Sequence, residues 1–224
     1  MVCRLKRSIY GLVQAGLCWH EDLRGSLLRE GYTQCVAEPC LFFADTPQGR
    51  TWIIIYVDDA LIIAPLLSLA QSRAHRLAEI YEATILGEPD DFLGISFARD
   101  RSAGTITLHQ QAFIRRLLHE YDVLGEPAPT LPVNARQPPL LPESGAPLDP
   151  DRARAYPSIV GSLNYLATCT RPDIANGVSI LSRFLRAPRT VHWDAAIYLL
   201  RYLGGTRDLG LCYRRAGPAR SVFL

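Results

Sequence analysis

With 224 residues and a hydrophobic fraction of 48%, the chain is long enough to form one large domain or two modest ones around an ordinary core. Its longest apolar stretch is broken by Asp58 and Asp59, which leaves it too short and too charged to span a bilayer. Arg4, Lys6 and Arg7 lead into SIYGLVQAGLCWHED, which has no apolar block and cleavage site of the secretory kind. The net charge of +2 hides an asymmetry: residues 1–125 carry 12 basic and 15 acidic side chains, net −3, whereas residues 126–224 carry 12 and 7, net +5. Of the 24 basic residues 23 are Arg, a type suited to bidentate phosphate contacts, although so uniform a preference points to genome base composition rather than to selection for binding.

In chain order, Trp19, Leu23 and Leu27 recur at i, i+4, i+8, which predicts a helix within residues 5–31 that Gly31 stops. A short strand is expected at Cys40–Ala44, then the turn-forming DTPQGR, then a hairpin within residues 51–65, making a meander of three antiparallel strands. Helical spacing returns from Leu66 to Tyr81, with Leu69, Leu77, Ile80 and Tyr81 expected buried and Arg73, Arg76 and Glu79 exposed. A second hairpin follows, with strand Phe92–Ala98, a turn near Arg101–Gly104 and strand Thr105–Leu108, and then a helix over Gln111–Val123 with Phe113, Leu117 and Tyr121 on one face. Eight prolines in residues 125–150 predict an extended linker. Beyond it, helices are expected at Ser158–Thr168, Asp173–Leu185 and Thr190–Leu203, ending at Gly204–Gly205, with a last strand at Leu209–Arg214.

Cys3, Cys18, Cys35, Cys40, Cys169 and Cys212 form no C-x-x-C pair, and no histidine cluster joins them at zinc-ligand spacing. They are read as reduced, mostly buried thiols of an intracellular protein. His109 and His192 are read as hydrogen-bonded structural residues.

The chemistry concentrates in TWIIIYVDDALIIAP, residues 51–65, where two adjacent carboxylates interrupt β-branched and aromatic flanks. An ionised carboxylate in such surroundings needs water, a cation or hydrogen-bond donors to replace lost hydration. Asp58 and Asp59 therefore either close the turn through their own backbone or present hard oxygen ligands to a divalent ion such as Mg²⁺. If strand alternation runs into the turn, Tyr56 and Asp58 share one face and Val57 and Asp59 the other, which favours Asp58 as the principal ligand.

LKRSIYGLVQAGLCW, EPCLF, IYVDDALI, FLGI, YPSIVGSLNYLATCTRPDIA and LSRFLRAPRTVHWDAAIYLLRYLGGT, in this order, resemble the reverse transcriptase region of copia-type retrotransposon polyproteins over roughly Leu5 to Tyr213. The resemblance implies an α+β fold: a partial right-hand polymerase palm of antiparallel hairpins and helices in residues 1–124, a proline-rich linker at 125–150, a helical thumb or connection at 151–215 and a tail at 216–224. It implies RNA-directed DNA synthesis on an RNA template and DNA primer from deoxynucleoside triphosphates, with two Mg²⁺ ions, no membrane, and the rest of a polyprotein as neighbour. The family works in a cytoplasmic particle and its DNA copy enters the nucleus.

Residue by residue, Tyr56-Val57-Asp58-Asp59 matches the family's YVDD block, making Asp58 and Asp59 the catalytic and metal-binding residues. Tyr10, Gly11 and Gln14, together with Tyr56, match positions beside the nucleotide and template, where Gly11 allows close backbone approach. Phe92, Leu93 and Gly94 match the element that grips the primer end, while a bulge or a tight sheet contact is the structural reading of Gly94. Arg171 and Arg183, with Arg186, Arg189 and Arg201, either face phosphates or form a solvated helix surface, and Arg171-Pro172-Asp173 has a structural reading as well. Asp173 is placed near a helix N-terminus, where its charge complements the dipole.

Several family residues have no counterpart here. Val13 stands for a lysine, Gly16 and Leu17 for a proline–arginine pair, and Thr84 for a lysine that protonates pyrophosphate, a task for which Thr is poorly suited. A further metal-binding aspartate lies upstream of the Tyr-Gly-Leu block in the family, whereas Met1 precedes Tyr10 by nine residues. The ribonuclease H region is likewise expected downstream. The expectation is a reverse transcriptase fragment that is inactive alone. The alternatives are a non-catalytic nucleic-acid-binding remnant of a decayed element and, more remotely, a metal-dependent nuclease drawing on Glu88, Asp90 and Asp91.

Overall fold

The computed structural model describes residues 8–9, 11–133 and 140–215. The chain divides into two compact units, one ending at Glu88 and the other starting at Pro89. Both mix helices with an antiparallel sheet, so the fold is α+β, with two sheets and six α-helices among the described residues.

The first unit opens with α1 (Ala15–Arg29) and continues with β1 (Thr33–Gln34), β2 (Leu41–Thr46), β3 (Gly49–Tyr56) and β4 (Asp59–Ile63), then α2 (Leu67–Tyr81). The strands form one sheet in the order β1-β2-β3-β4, so the expected three-stranded meander gains β1 as a short fourth strand. Alternation in β3 sends Thr51, Ile53 and Ile55 to the buried face. There they join Phe42 and Ala44 from β2, Leu23 and Leu27 from α1, and Tyr32. Trp19, Ile62, Leu77 and Tyr81 pack around this core, so both helices lie on the same face of the sheet.

α2 reaches the core through Leu77 and Tyr81 only. Ile80, expected inside, is exposed, and Leu69 is half-buried. Arg73, expected outside, is half-buried against the Tyr32 ring, with its guanidinium carbon 5.7 Å from the ring centre.

The second unit contains β5 (Asp91–Phe92), β6 (Ile95–Asp100), β7 (Thr105–His109), α3 (Gln111–Glu120), α4 (Pro150–Cys169), α5 (Ala175–Ser182), α6 (Thr190–Gly205) and β8 (Leu211–Arg214). A single 3-10 turn, Pro172–Ile174, precedes α5. The sheet order is β5-β6-β7-β8, and β8 joins β7 with Thr105 opposite Arg214 and Leu108 opposite Leu211. The second hairpin, grouped by sequence with the first 124 residues, therefore falls in this unit. Its core is helical: Ile114 and Leu117 from α3, Tyr156, Ile159, Leu163 and Leu166 from α4, Val178 and Leu181 from α5, and Leu199, Leu200 and Leu203 from α6.

α4 starts eight residues before the position expected from sequence. Asp149 caps it, its Oδ1 accepting hydrogen bonds from the backbone N–H groups of Asp151 (3.1 Å) and Arg152 (3.0 Å), and Pro150 occupies the first turn, where no N–H is needed. Pro157 sits inside the helix, one residue before the expected start. α6 ends at Gly204–Gly205, as expected.

The thiol expectation is also corrected. Cys18 and Cys212 are exposed and Cys35, Cys40 and Cys169 are half-buried, so none of the five described cysteines is buried, though all are reduced. They lie off the packed faces: Cys18 next to the Trp19–Leu23–Leu27 stripe, and Cys212 on the edge strand β8.

Candidate active site

β3 and β4 are joined by a two-residue turn, Val57-Asp58, with Tyr56 directly opposite Asp59. Residues directly opposite one another in an antiparallel pair project to the same face. Tyr56 therefore shares its face with Asp59, not with Asp58 as alternation through the turn predicts; the strand ends at Tyr56, and period-two geometry ends with it. That face is the one turned away from α1 and α2, since the neighbouring Ile55 is buried and pairs with Ala60. Asp58 stands at the tip itself. Both acids are exposed, as are Tyr56 (56%) and Val57 (57%).

The turn carries backbone strain. Val57 has φ of +51°, a left-handed conformation that a β-branched residue rarely adopts. It persists at a cost of about 1–3 kcal/mol, and only when the surroundings over-determine it. One such constraint is visible: the Trp19 indole Nε1–H donates a 2.6 Å hydrogen bond to the Val57 carbonyl. Trp19 is itself seated edge-on against Tyr81 of α2, with ring centres 5.1 Å apart, and the Tyr81 hydroxyl lies 2.7 Å from Ser26 Oγ. Sequence reading placed Trp19 on the packed face of α1 and missed this role. The available signal was its N–H, which must find an acceptor once the ring is packed.

Of the residues expected beside nucleotide and template, Tyr10 lies outside the described residues. Gly11 has φ of +95°, and a Cβ there would meet nothing within 4 Å, so glycine is needed for the backbone conformation and not for packing. Gln14 is exposed at the N-terminus of α1. This segment and the acidic turn are linked through α1, whose second turn carries Trp19.

Phe92, Leu93, Gly94 and Ile95 form a second tight hairpin in the other unit. Phe92 pairs with Ile95, and both central residues have positive φ, +55° at Leu93 and +78° at Gly94. Gly94 therefore serves a turn of the type that suits the strand twist. The Tyr165 hydroxyl of α4 donates to the Leu93 carbonyl at 3.1 Å, and the ring stacks edge-on against Phe113.

Among the arginines, Arg171 is the clear correction. It is 1% exposed, and its guanidinium is consumed inside the fold. It grips both Asp173 oxygens at 3.0 and 2.7 Å and donates to the Thr206 carbonyl and hydroxyl at 2.9 and 2.7 Å. The Tyr202 hydroxyl adds a 2.9 Å bond to Asp173. Burial pushes the Asp173 carboxyl up, but the Arg171 and Tyr202 hydrogen bonds outweigh it and hold the group below its ordinary value. Arg189 donates to the Gly145 carbonyl, and Arg201 engages the Pro127 carbonyl and Glu126. Arg183 and Arg186 are exposed just after α5.

Asp58 and Asp59 suit a hard cation by their donor chemistry, and Mg²⁺ is commonly held by one or two carboxylates with water and substrate phosphates completing its shell. Among the described residues no group of three or more His, Cys, Asp or Glu gathers at one point.

The chain belongs to the reverse transcriptase family: the family model described as Reverse transcriptase (RNA-dependent DNA polymerase) matches residues 1–135. Its relatives place it among the Pol polyproteins of copia-type retrotransposons. It is 37% identical over 213 residues to the putative transposon Ty5-1 protein of Saccharomyces cerevisiae, covering 95% of this chain and 68% of that one. It is 32% identical over 227 residues to the Retrovirus-related Pol polyprotein from transposon TNT 1-94 of Nicotiana tabacum, covering 97% of this chain and 17% of the polyprotein. A similar match to the RE2 polyprotein of Arabidopsis thaliana is 34% identical and covers 96% of this chain and 14% of the polyprotein. The chain thus spans about a sixth of the plant polyproteins it matches. No solved structure matches the chain. Reverse transcriptases use divalent metal ions and act on nucleic-acid templates and nucleotides.

Proposed function

We propose that the chain supplies the YVDD part of a retrotransposon reverse transcriptase, in which Asp58 and Asp59 are metal-binding carboxylates of the nucleotidyl-transfer site. The observation that carries this reading is the placement of both acids, exposed, at the tip of a two-residue turn with a fixed backbone. In the reaction, the primer 3′ oxygen forms a bond to the α-phosphorus of the incoming nucleotide, the bond to pyrophosphate breaks, and the hydroxyl proton leaves. Two bound Mg²⁺ ions would supply neutralisation of the charge developing on the entering and leaving oxygens. The chain's own contribution is to hold the carboxylates. Tyr56, on the same face as Asp59, and the Gly11–Gln14 segment are assigned to the nucleotide and template. The first unit corresponds to part of the palm, Phe92–Gly94 to the primer grip, and the helices from Pro150 onward to the thumb or connection.

Two carboxylates from one turn do not complete a two-metal site, so the 224-residue chain is proposed to need a further acid from elsewhere in a polyprotein. β4, which bears Asp59, is the edge strand of its sheet, and a strand added there would bring a ligand beside the turn. In a primer-extension assay with Mg²⁺ and a primed RNA template, the chain alone is expected to give no incorporation. Incorporation by the chain alone that Asp58→Asn abolishes would overturn the need for a further acid while supporting the metal role.

The exposure of Arg183 and Arg186 supports a second reading, a nucleic-acid-binding piece without catalysis. Binding to a primer–template duplex would then be salt-dependent, and replacing each Arg by Gln would reduce the slope of log K against log salt by about 1. Binding lost in the absence of Mg²⁺ would count against it.

A further inference from the structure

We infer that Trp19 is a positioning residue for the acidic turn: its indole N–H holds the strained Val57 peptide, and through it the direction in which Asp58 and Asp59 present their carboxylates. The inference rests on the metal-binding reading above.

Three observations combine. First, the Val57 carbonyl that accepts the 2.6 Å bond belongs to the planar peptide unit joining Val57 to Asp58. Fixing that oxygen fixes the plane from which Asp58 departs, so the bond acts on the acid one covalent unit away. Second, Val57 is held at φ of +51°, where its branched Cβ crowds the backbone. A two-residue hairpin turn demands positive φ at its first residue, so a branched side chain there strains the tip, and release of the Trp19 clamp would let the Val57–Asp58 peptide rotate. Third, the donor comes from outside the hairpin and is itself fixed. The Trp19 ring sits edge-on against Tyr81 at 5.1 Å, and Tyr81 is bonded to Ser26, one turn before the C-terminal end of α1. The turn is thereby referenced to the helices behind the sheet as well as to its own two strands. Replacement by Phe would keep the ring packing and remove only the donor.

The test is Mn²⁺ titration of the full chain, followed by electron paramagnetic resonance, with thermal unfolding recorded in parallel. Wild type is expected to bind Mn²⁺ at the turn, and the Asp58→Asn, Asp59→Asn double variant to lose it. Trp19→Phe is expected to weaken binding roughly threefold to tenfold, the ordinary consequence of losing one hydrogen bond. Adding Val57→Gly to Trp19→Phe is expected to restore most of the affinity, because glycine holds a positive φ without a clamp. A loss caused merely by looser helix packing would not be rescued in this way.

Mn²⁺ binding that survives the Asp double variant overturns the metal reading itself. Binding that the Asp variant abolishes, but that Trp19→Phe leaves unchanged or Val57→Gly fails to rescue, overturns the role of Trp19 alone. If Trp19→Phe does not fold, hydrogen exchange of the Trp19 indole in wild type decides: strong protection supports the inference, and exchange at the rate of a free indole overturns it.

Discussion

Arg171 shows how little the type of a residue says about its task. Its charge and position among other arginines suggest a phosphate contact, yet it is a buried brace between the 3-10 turn and the end of α6. Asp173, two residues on, is a partner the sequence offers, but nothing local announces that the other acceptor, Thr206, lies 35 residues away and draws the guanidinium into the fold. Arg171→Met is expected to cost about 2–4 kcal/mol in urea denaturation, somewhat under the usual toll for splitting a buried pair because Asp173 is 34% exposed to water. The Asp173 carboxyl, held below its ordinary value, contributes stability that is complete well above the ordinary carboxylate value of 3.8 and is lost as pH falls through the lower folded value. In Arg171→Met that acid sensitivity should shrink. The acidic turn was more legible: two carboxylates between β-branched runs announce a hairpin tip. Which of them faces Tyr56 was not, since that depends on where the strand ends.

At the scale of elements, alternation and helical spacing located nearly every helix and strand. α4 is longer than its spacing predicts because the cap that starts it, Asp149, stands among prolines that suggest an unstructured linker. The N-terminus of α6 bears out the reading of His192 as a hydrogen-bonded structural residue. His192 is buried, its Nδ1 accepting from the Arg189 backbone N–H at 3.0 Å, its Nε2 3.0 Å from the Leu141 carbonyl and its ring stacked on Phe184 at 3.9 Å. Burial pushes its pKa below 6.5, with the nearby Arg189 charge acting in the same direction and the Leu141 hydrogen bond opposing. A histidine whose folded pKa is depressed stabilises the fold fully above its unfolded value. That contribution falls as pH drops from about 6.5 through the folded value, because the unfolded chain then binds the proton first. The denaturation midpoint should therefore decline over this range, and His192→Gln should flatten the decline.

For the molecule as a whole, the fold class was readable but the partition was not. Composition draws attention to the proline-rich stretch, whereas the chain divides at Glu88 and Pro89. The larger hydrophobic core belongs to the second unit, and truncation at its centre, Leu163→Ala, is expected to destabilise by about 2–5 kcal/mol, measured by denaturant titration. The reason the second hairpin joins that unit is the pairing of β7 with β8, which no local pattern announces because the strands lie about a hundred residues apart.

That pairing sets an order of events during synthesis. The first unit has its four described strands in hand by Ile63, and neighbouring strands pair through short connections. The hairpin of β6 and β7 must wait, with one flank uncovered, until Leu211–Arg214 has cleared the ribosome. Throughout that interval the nascent chain presents an unpaired strand edge, and β8 closes it.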